Sequence, residues 1–442
     1  MDKKEHLSRK TFIKNTALGI AGLSAGSLLT GFKQAESREN KSKPMKLLKN
    51  VRLETGFDYD GDEVVGTKTD LFCVELADGK ITSIKKNDPK ADAFDAKGML
   101  MLPAFKDMHI HLDKTFYGGP WKIVKRRPGG VKGMIALEQE ILPEMLKTST
   151  YRAEKLIELL QAKGSSFARS HVNIEATSKL QSLKNLQLAL ENKKAGFEAE
   201  LVAFPQHGLY YTDSVPYMKE AAQTDIDFIG GLDPYTIDGS IEKPIDFTVQ
   251  LALDHTKGID IHLHESGQSG VDTIEYLIKK VLENPSLKGK TYLSHCFALS
   301  AIDSAKQEEL AEKLAEAQIG IISTIPFGGR VMPIPTLYKH GVHVATGIDS
   351  VIDHWGIYGT GSVLDKASLM AQLYGFGNEF MLSRSLRLAT DNILPLDDKG
   401  KQQWPKQNDK ANFVLVNSSC SAEAVARVPE IEHLIHAGNL VY

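Results

Sequence analysis

The chain of 442 residues exceeds one average domain and suits a single large α/β barrel with a small accessory unit. Its 42% hydrophobic and 25% charged content is that of an ordinary soluble globular protein, and a net charge of -3 without a dense Lys/Arg stripe excludes the electrostatic footprint of a nucleic-acid binder. Three widely spaced cysteines, Cys73, Cys296 and Cys420, exclude a thiolate zinc cage of C-x-x-C pairs and offer no disulfide framework.

The N-terminus reads as a targeting segment. Lys3, Lys4, Arg9, Lys10 and Lys14 make a basic start, Asn15 to Phe32 carries no charge, and a polar stretch runs from Lys33 to Lys43. Ser8-Arg9-Lys10-Thr11-Phe12-Ile13-Lys14 resembles a twin-arginine export signal with lysine in place of the second arginine, so residues 1–43 are expected to be an export signal and linker, and the protein periplasmic; a cytoplasmic protein with a basic N-terminus is the alternative. No other run reaches the ~20 apolar residues of a spanning helix, so no stable membrane insertion is expected beyond the signal.

From 44 to about 100, short strands with turn punctuation predict a small β unit. The Asp78-Gly79 turn between Phe72-Cys-Val-Glu-Leu and Ile81-Thr-Ser-Ile predicts a hairpin within it.

From 101 to about 394, short apolar runs alternate with amphipathic segments. Eight runs stand out: Met101 to His109, Phe167 to Ile174, Glu200 to Phe204, Ile226 to Leu232, Ile259 to His264, Thr291 to His295, Ile319 to Ser323 and Val342 to Gly347. Helical spacing of Ala153, Leu156, Ile157 and Leu160 with Gly164 beyond them, and a capping-type Asp303 before 304–319, mark two of the intervening helices. Such alternation predicts parallel strands with crossover helices, and eight units favour a closed (β/α)8 TIM-type barrel. In the tail, Phe413 to Val416 and Asn439 to Tyr442, around a helix at 422–428, are expected to complete the small β unit. That unit is then a β-sandwich built from 44–100 and 395–442.

Polar residues fall at the ends of the apolar runs. His109 and His111 follow the first, His171 and Asn173 the second, Gln206 the third, Asp233 the fourth, His262, His264 and Glu265 the fifth, His295 the sixth and Asp349 the eighth. In a barrel these ends open on one rim, where such folds place their chemistry. His-x-His at a strand end points two imidazoles to one side, half of a site for a borderline divalent ion. His264 shares a strand face with His262, and spacing alone does not say which of the two binds metal.

Taken in order, His109-Ile-His111-Leu-Asp113, Ser170-His171-Val172, Val202-Ala-Phe-Pro-Gln206, Ile259-Asp-Ile-His262 with Glu265, Ser294-His295 and Gly347-Ile-Asp349 with Trp355 resemble the cytosine deaminase branch of the amidohydrolase superfamily. The resemblance spans nearly everything after the signal. It implies one divalent ion, zinc or iron(II), with His109, His111, His262 and Asp349 as ligands; it prefers His262 over His264 because Glu265 then falls in register. It implies Glu265 as proton shuttle, His295 as the group holding the attacking hydroxide beside Asp349, and Gln206 as the reader of the ring's amide edge. His171, Ser350 and Trp355 are carried as substrate-binding candidates, with a core role as the bland alternative for His171. Asp113 and Lys114 are read as an ion pair at the rim, and Asp233 before Pro234 as the start of a turn.

Departures from the family pattern bear on substrate. Ser350 stands where those deaminases carry a second aspartate, and Asn173 where they carry aspartate, which argues against cytosine itself. The expected activity is therefore metal-dependent hydrolysis of a non-peptide carbon–nitrogen bond, deaminating a small heterocycle of pyrimidine or triazine type. Opening of a cyclic amide or imide, and a barrel that binds ligand without turnover, are the alternatives. The expected partner is a small heterocyclic substrate, with homo-oligomerisation left open.

Overall fold

The computed structural model describes residues 43–325 and 328–442. Nearly all of the export-signal segment lies outside the described residues. Ser42–Tyr442 packs as one compact unit, and among the described residues no helix is long and apolar enough to cross a membrane.

Eight parallel strands make the barrel: β1 (Phe105–Ile110), β2 (Ser165–Asn173), β3 (Glu198–Phe204), β4 (Phe228–Leu232), β5 (Gly258–His262), β6 (Thr291–Ser294), β7 (Ile319–Ser323) and β8 (Val344–Thr346). They hydrogen-bond in sequence order, and a parallel bridge between Ile110 and Asp349 joins the last to the first. Every residue of β5, β7 and β8 is buried, as strands covered on both faces must be. The crossover helices bury one stripe each. In Gln268–Glu283 the stripe is Val271, Ile274, Leu277, Ile278 and Val281. Ser304–Ala317 starts where expected, with the Asp303 carboxylate accepting the Lys306 N–H at 2.9 Å.

The small β unit is one nine-stranded sheet built from both ends of the chain. Its core gathers Leu48, Val51, Leu53, Val74, Ile81, Phe413 and Leu415. A bridge between Lys80 and Lys410, with Ala411 N–H donating to Gly79 O at 2.8 Å, brings the sheet round that core. The hairpin forms at Asp78-Gly79, both with positive φ (51° and 73°), as a primed turn requires.

Beyond shifts of one or two residues at strand ends, the structure differs from the sequence reading at the junction of the two sheets and in the tail. Leu100–Pro103 pairs with Phe413–Val416 in the small sheet, so the first barrel strand starts only at Phe105. Proline at 103 and the break at Ala104 hand one continuous apolar run from one sheet to the other. Ile431–His436 is a further strand between the two expected in the tail. The second of those, Asn439–Leu440, is shorter than expected and pairs with Lys43–Pro44.

Candidate active site

The polar residues meet at the C-terminal ends of the barrel strands. His109 is the penultimate residue of β1 and fully buried, while His111 lies just past it and is 6% exposed. Each ring is pinned at Nδ1: His111 Nδ1 faces the backbone carbonyl of His171 at 3.1 Å, and His109 Nδ1 faces Ser294 Oγ at 2.9 Å. A carbonyl only accepts, so His111 carries its proton on Nδ1 and presents Nε2 as a lone pair. That lone pair faces His262 Nε2, at the end of β5, across 3.3 Å.

Asp349 completes the group from beyond β8. Its backbone has φ 66°, a left-handed conformation fixed by its N–H donating to His109 O (2.7 Å) and its carbonyl accepting from His111 N–H (3.0 Å). Its Oδ1 lies 3.4 Å from His109 Nε2 and 3.5 Å from His111 Nε2. Four ligand atoms placed about 2.1 Å from one ion in a tetrahedron sit roughly 3.4 Å apart. The observed separations of 3.3, 3.4 and 3.5 Å are such edges. His109 Nε2 is buried and without a hydrogen-bond partner, which suits a ligand atom. Ligand atoms of His109, His111 and His262 lie within 4.8 Å of one another, as do those of His109, His295 and Asp349, so a divalent cation fits among these side chains.

Electrostatics agree. Burial, and next the Lys114 ammonium, push His111 down to about 4, and burial with neighbouring imidazoles holds His262 and His295 well below the usual range. Burial would raise the Asp349 carboxyl, but the imidazoles of His109 and His111 hold it well below its ordinary value. The cluster is thus rich in neutral imidazole lone pairs with one carboxylate, a donor set that attracts a cation.

His295 joins this group, and Glu265 lies at the same rim just past β5. Glu265 Oε1 accepts the Thr236 N–H at 2.7 Å, while Oε2 is buried without a hydrogen-bond partner. His295, with φ 66°, hydrogen-bonds Thr324 Oγ1 through Nδ1 at 3.3 Å and stacks on His264 at 4.4 Å.

No protein-family model matches the chain. YahJ, an Escherichia coli (strain K12) protein described as uncharacterized, is 49% identical over 454 residues, 99% of each chain. N-isopropylammelide isopropyl amidohydrolase of Pseudomonas sp. (strain ADP) is 26% identical over 333 residues, 74% of this chain and 82% of that enzyme. The crystal structure of N-isopropylammelide isopropylaminohydrolase from Burkholderia multivorans ATCC 17616 aligns with a TM-score of 0.77 at 25% identity, covering 90% of this chain and 98% of that one. The chain belongs to the amidohydrolase superfamily.

In this amidohydrolase His262, at the end of β5, and His264, two residues beyond it, divide by their partners. His262 joins the cluster and stacks on Phe204 at 4.0 Å, whereas His264 Nδ1 bonds Asp233 Oδ2 at 2.9 Å. Asp233 is more than a turn residue. Its Oδ1 accepts the N–H groups of His264 (2.6 Å) and Glu265 (3.2 Å), fixing the backbone that carries the glutamate.

Beside the cluster lies a polar wall that the sequence only half disclosed. Gln206 is buried, and its Oε1 accepts a short hydrogen bond from Lys114 Nζ. The ammonium also lies over the rings of Trp355 (5.6 Å) and Phe204 (5.8 Å). Lys114 is therefore not half of a rim ion pair. Asp113 is buried too and accepts the Asn173 N–H at 3.0 Å. Trp355 is half-buried, and its indole N–H donates to Glu138 Oε2 at 2.8 Å; Ser350 is buried, its hydroxyl 3.5 Å from Gly356 O. His171 is fully buried, its ring centroid 4.2 Å from that of His109 and its Nε2 3.8 Å from Asp260 Oδ2, so it packs against the histidine cluster.

Glu138 escaped the sequence reading. It comes from the helix Gly130–Leu146, buried and bonded to Asn173 Nδ2 (2.6 Å), with His354 Nε2 at 3.1 Å and His207 Nε2 at 3.6 Å. The signal was available: Glu138 sits on the buried stripe of that helix with Met134, Ile135, Leu142 and Met145, where a carboxylate needs partners.

Proposed function

We propose that the protein is a metal-dependent amidohydrolase that deaminates a small aminated heterocycle of pyrimidine or triazine type. The observation that carries the reading is three tetrahedral-edge separations, His111 to His262 at 3.3 Å, His109 to Asp349 at 3.4 Å and His111 to Asp349 at 3.5 Å. One divalent ion, Zn2+ or Fe2+, held by those four side chains would supply Lewis acidity and bring the pKa of a water toward neutrality. The nitrogen-substituted triazine named for the Pseudomonas and Burkholderia relatives supports the substrate class.

The chain's own residues supply the rest. Asp349 and His295 orient the attacking water. Glu265, with one oxygen anchored by Thr236 N–H and the other without a partner, takes a proton from that water and delivers it to the adjacent ring nitrogen. A C–O bond forms at the carbon bearing the amino group. The exocyclic C–N bond then breaks as the departing nitrogen takes the remaining proton of the added hydroxyl through Glu265, leaving an oxo ring and ammonia. Lys114 and Gln206, donor and amide side by side, read the ring edge away from the reacting carbon, with Trp355 as a wall and Ser350 next to Asp349.

Purified, metal-loaded protein tested on a panel of aminated pyrimidines and triazines is expected to release ammonia from at least one. Glu265→Gln lowers that rate by about 10²- to 10⁴-fold with the metal content unchanged. A ring-opened acid without ammonia, or tight binding with no product on long incubation, overturns the proposal. We also propose periplasmic export through the Ser8–Lys14 signal; cell fractionation that leaves the protein in the cytoplasm sinks it.

A further inference from the structure

Below the histidines the barrel interior carries a line of polar side chains that the reaction above does not use. Strand alternation places them: Asp260 shares a face with His262 on β5, Arg169 with His171 on β2, and Tyr292 with Ser294 on β6. The Arg169 guanidinium is sandwiched between the rings of Phe228 (4.0 Å) and Tyr292 (4.1 Å). It reaches Glu200 Oε2 at 2.8 Å and Asp260 Oδ2 at 3.2 Å. Asp260, fully buried, has its other oxygen 2.6 Å from the Ser294 hydroxyl, and Ser294 Oγ is 2.9 Å from His109 Nδ1.

Counting protons along this line gives each bond a direction. A guanidinium only donates, so Asp260 accepts at Oδ2. Ser294 has one proton, and the short contact to Asp260 Oδ1 takes it. The hydroxyl is then left to accept from His109 Nδ1–H. His109 must therefore carry its proton on Nδ1 and present Nε2 as a lone pair, toward the point it shares with His111 and Asp349. His111 reaches the same tautomer through a backbone carbonyl, whereas His109 depends on side chains alone.

We infer that Asp260 and Ser294, backed by Arg169, are positioning residues for the metal: they fix the tautomer and ring plane of His109 and strengthen it as a donor. This rests on the reading of His109 as a ligand. The line runs Arg169, Asp260, Ser294, His109, each held by the one before. The relay lies wholly inside the barrel and touches neither Glu265 nor Gln206 through any of its bonds.

The test is Zn2+ affinity of the full chain by competition with a chromophoric chelator, with the visible spectrum of the Co2+-loaded protein as a second readout. Ser294→Ala removes one oxygen from a buried site and is expected to weaken Zn2+ by about 10- to 100-fold and to alter the Co2+ spectrum. Asp260→Asn, which keeps an acceptor for the hydroxyl and loses the charge, weakens Zn2+ by less. In the Ser294→Ala background Asp260→Asn adds nothing further, because its influence passes through the serine. A folded Ser294→Ala protein that binds Zn2+ as tightly as the parent overturns the inference, and so does a second full loss on adding Asp260→Asn. A parent protein that binds no divalent ion overturns the metal reading itself.

Discussion

At the scale of single residues, the question that spacing left open was whether His262 or His264 serves the centre. His262 closes β5 and His264 lies two residues beyond it, so their difference must come from what else is near them. Asp233 decides it, holding His264 by both the backbone and Nδ1. Burial alone would lower the His264 proton affinity, but the Asp233 carboxylate raises it above the usual value, the opposite of His262. His262→Ala should therefore abolish tight Zn2+ binding, measured by chelator competition. His264→Ala should leave Zn2+ affinity within about tenfold of the parent and cost about 1–3 kcal/mol of stability, because it strips a buried carboxylate of a partner. Equal losses of metal in both variants would contradict this division.

At the scale of elements, the seam between β1 and β8 is where the centre is assembled. Gly347 passes so close to the first strand that a Cβ there would lie 2.4 Å from His109 N and O and 2.6 Å from its Cα. The same seam carries the hydrogen bonds that bring Asp349 to the two histidines. Gly347→Ala must push the strands apart, at a cost of about 1–3 kcal/mol or more by overpacking. It should also release the metal, and a urea midpoint and a metal assay on the same sample check both. Much of this architecture was readable in the chain, because each barrel strand is a short apolar run closed by a polar residue and followed by a one-sided helix. The histidines and the aspartate that gather at the rim were readable through His-x-His and its answering motifs. What escaped depends on pairing between distant segments. The run Met99 to Phe105 is apolar throughout, and only its hydrogen-bond partners assign Leu100–Pro103 to one sheet and Phe105 to another. Asp260 and Ser294 looked like ordinary strand residues because the imidazole that gives them a role lies on β1, over 150 positions earlier. Glu138 was hidden in the same way, its partners coming from the ends of β2, β3 and β8.

Across the whole molecule, those Glu138 contacts tie the loops after β8, β2 and β3, one continuous arc of the barrel rim, into one buried charged network. His207 sits within it, 3.1 Å from Glu175 and 3.6 Å from Glu138. Burial alone would lower its proton affinity, but the two flanking carboxylates raise its pKa to about 9. The unfolded chain releases that proton near the ordinary histidine value of about 6.5, so the folded state binds it more tightly between the two values. The stabilisation is fully present below about pH 6.5 and is lost as pH rises through about 9, and it amounts to roughly 3 kcal/mol. His207→Gln removes the titrating group, so subtracting its stability from that of the parent cancels the ionisations that are not coupled to it. Urea denaturation at several pH values from 6 to 10 should show this difference falling with rising pH. In a Glu138→Gln background, with one of the two carboxylates gone, the fall should move to lower pH. A difference that stays flat across the range would mean that His207 is not held as an imidazolium, and the loops around the cleft would then owe their registration to hydrogen bonds without charge.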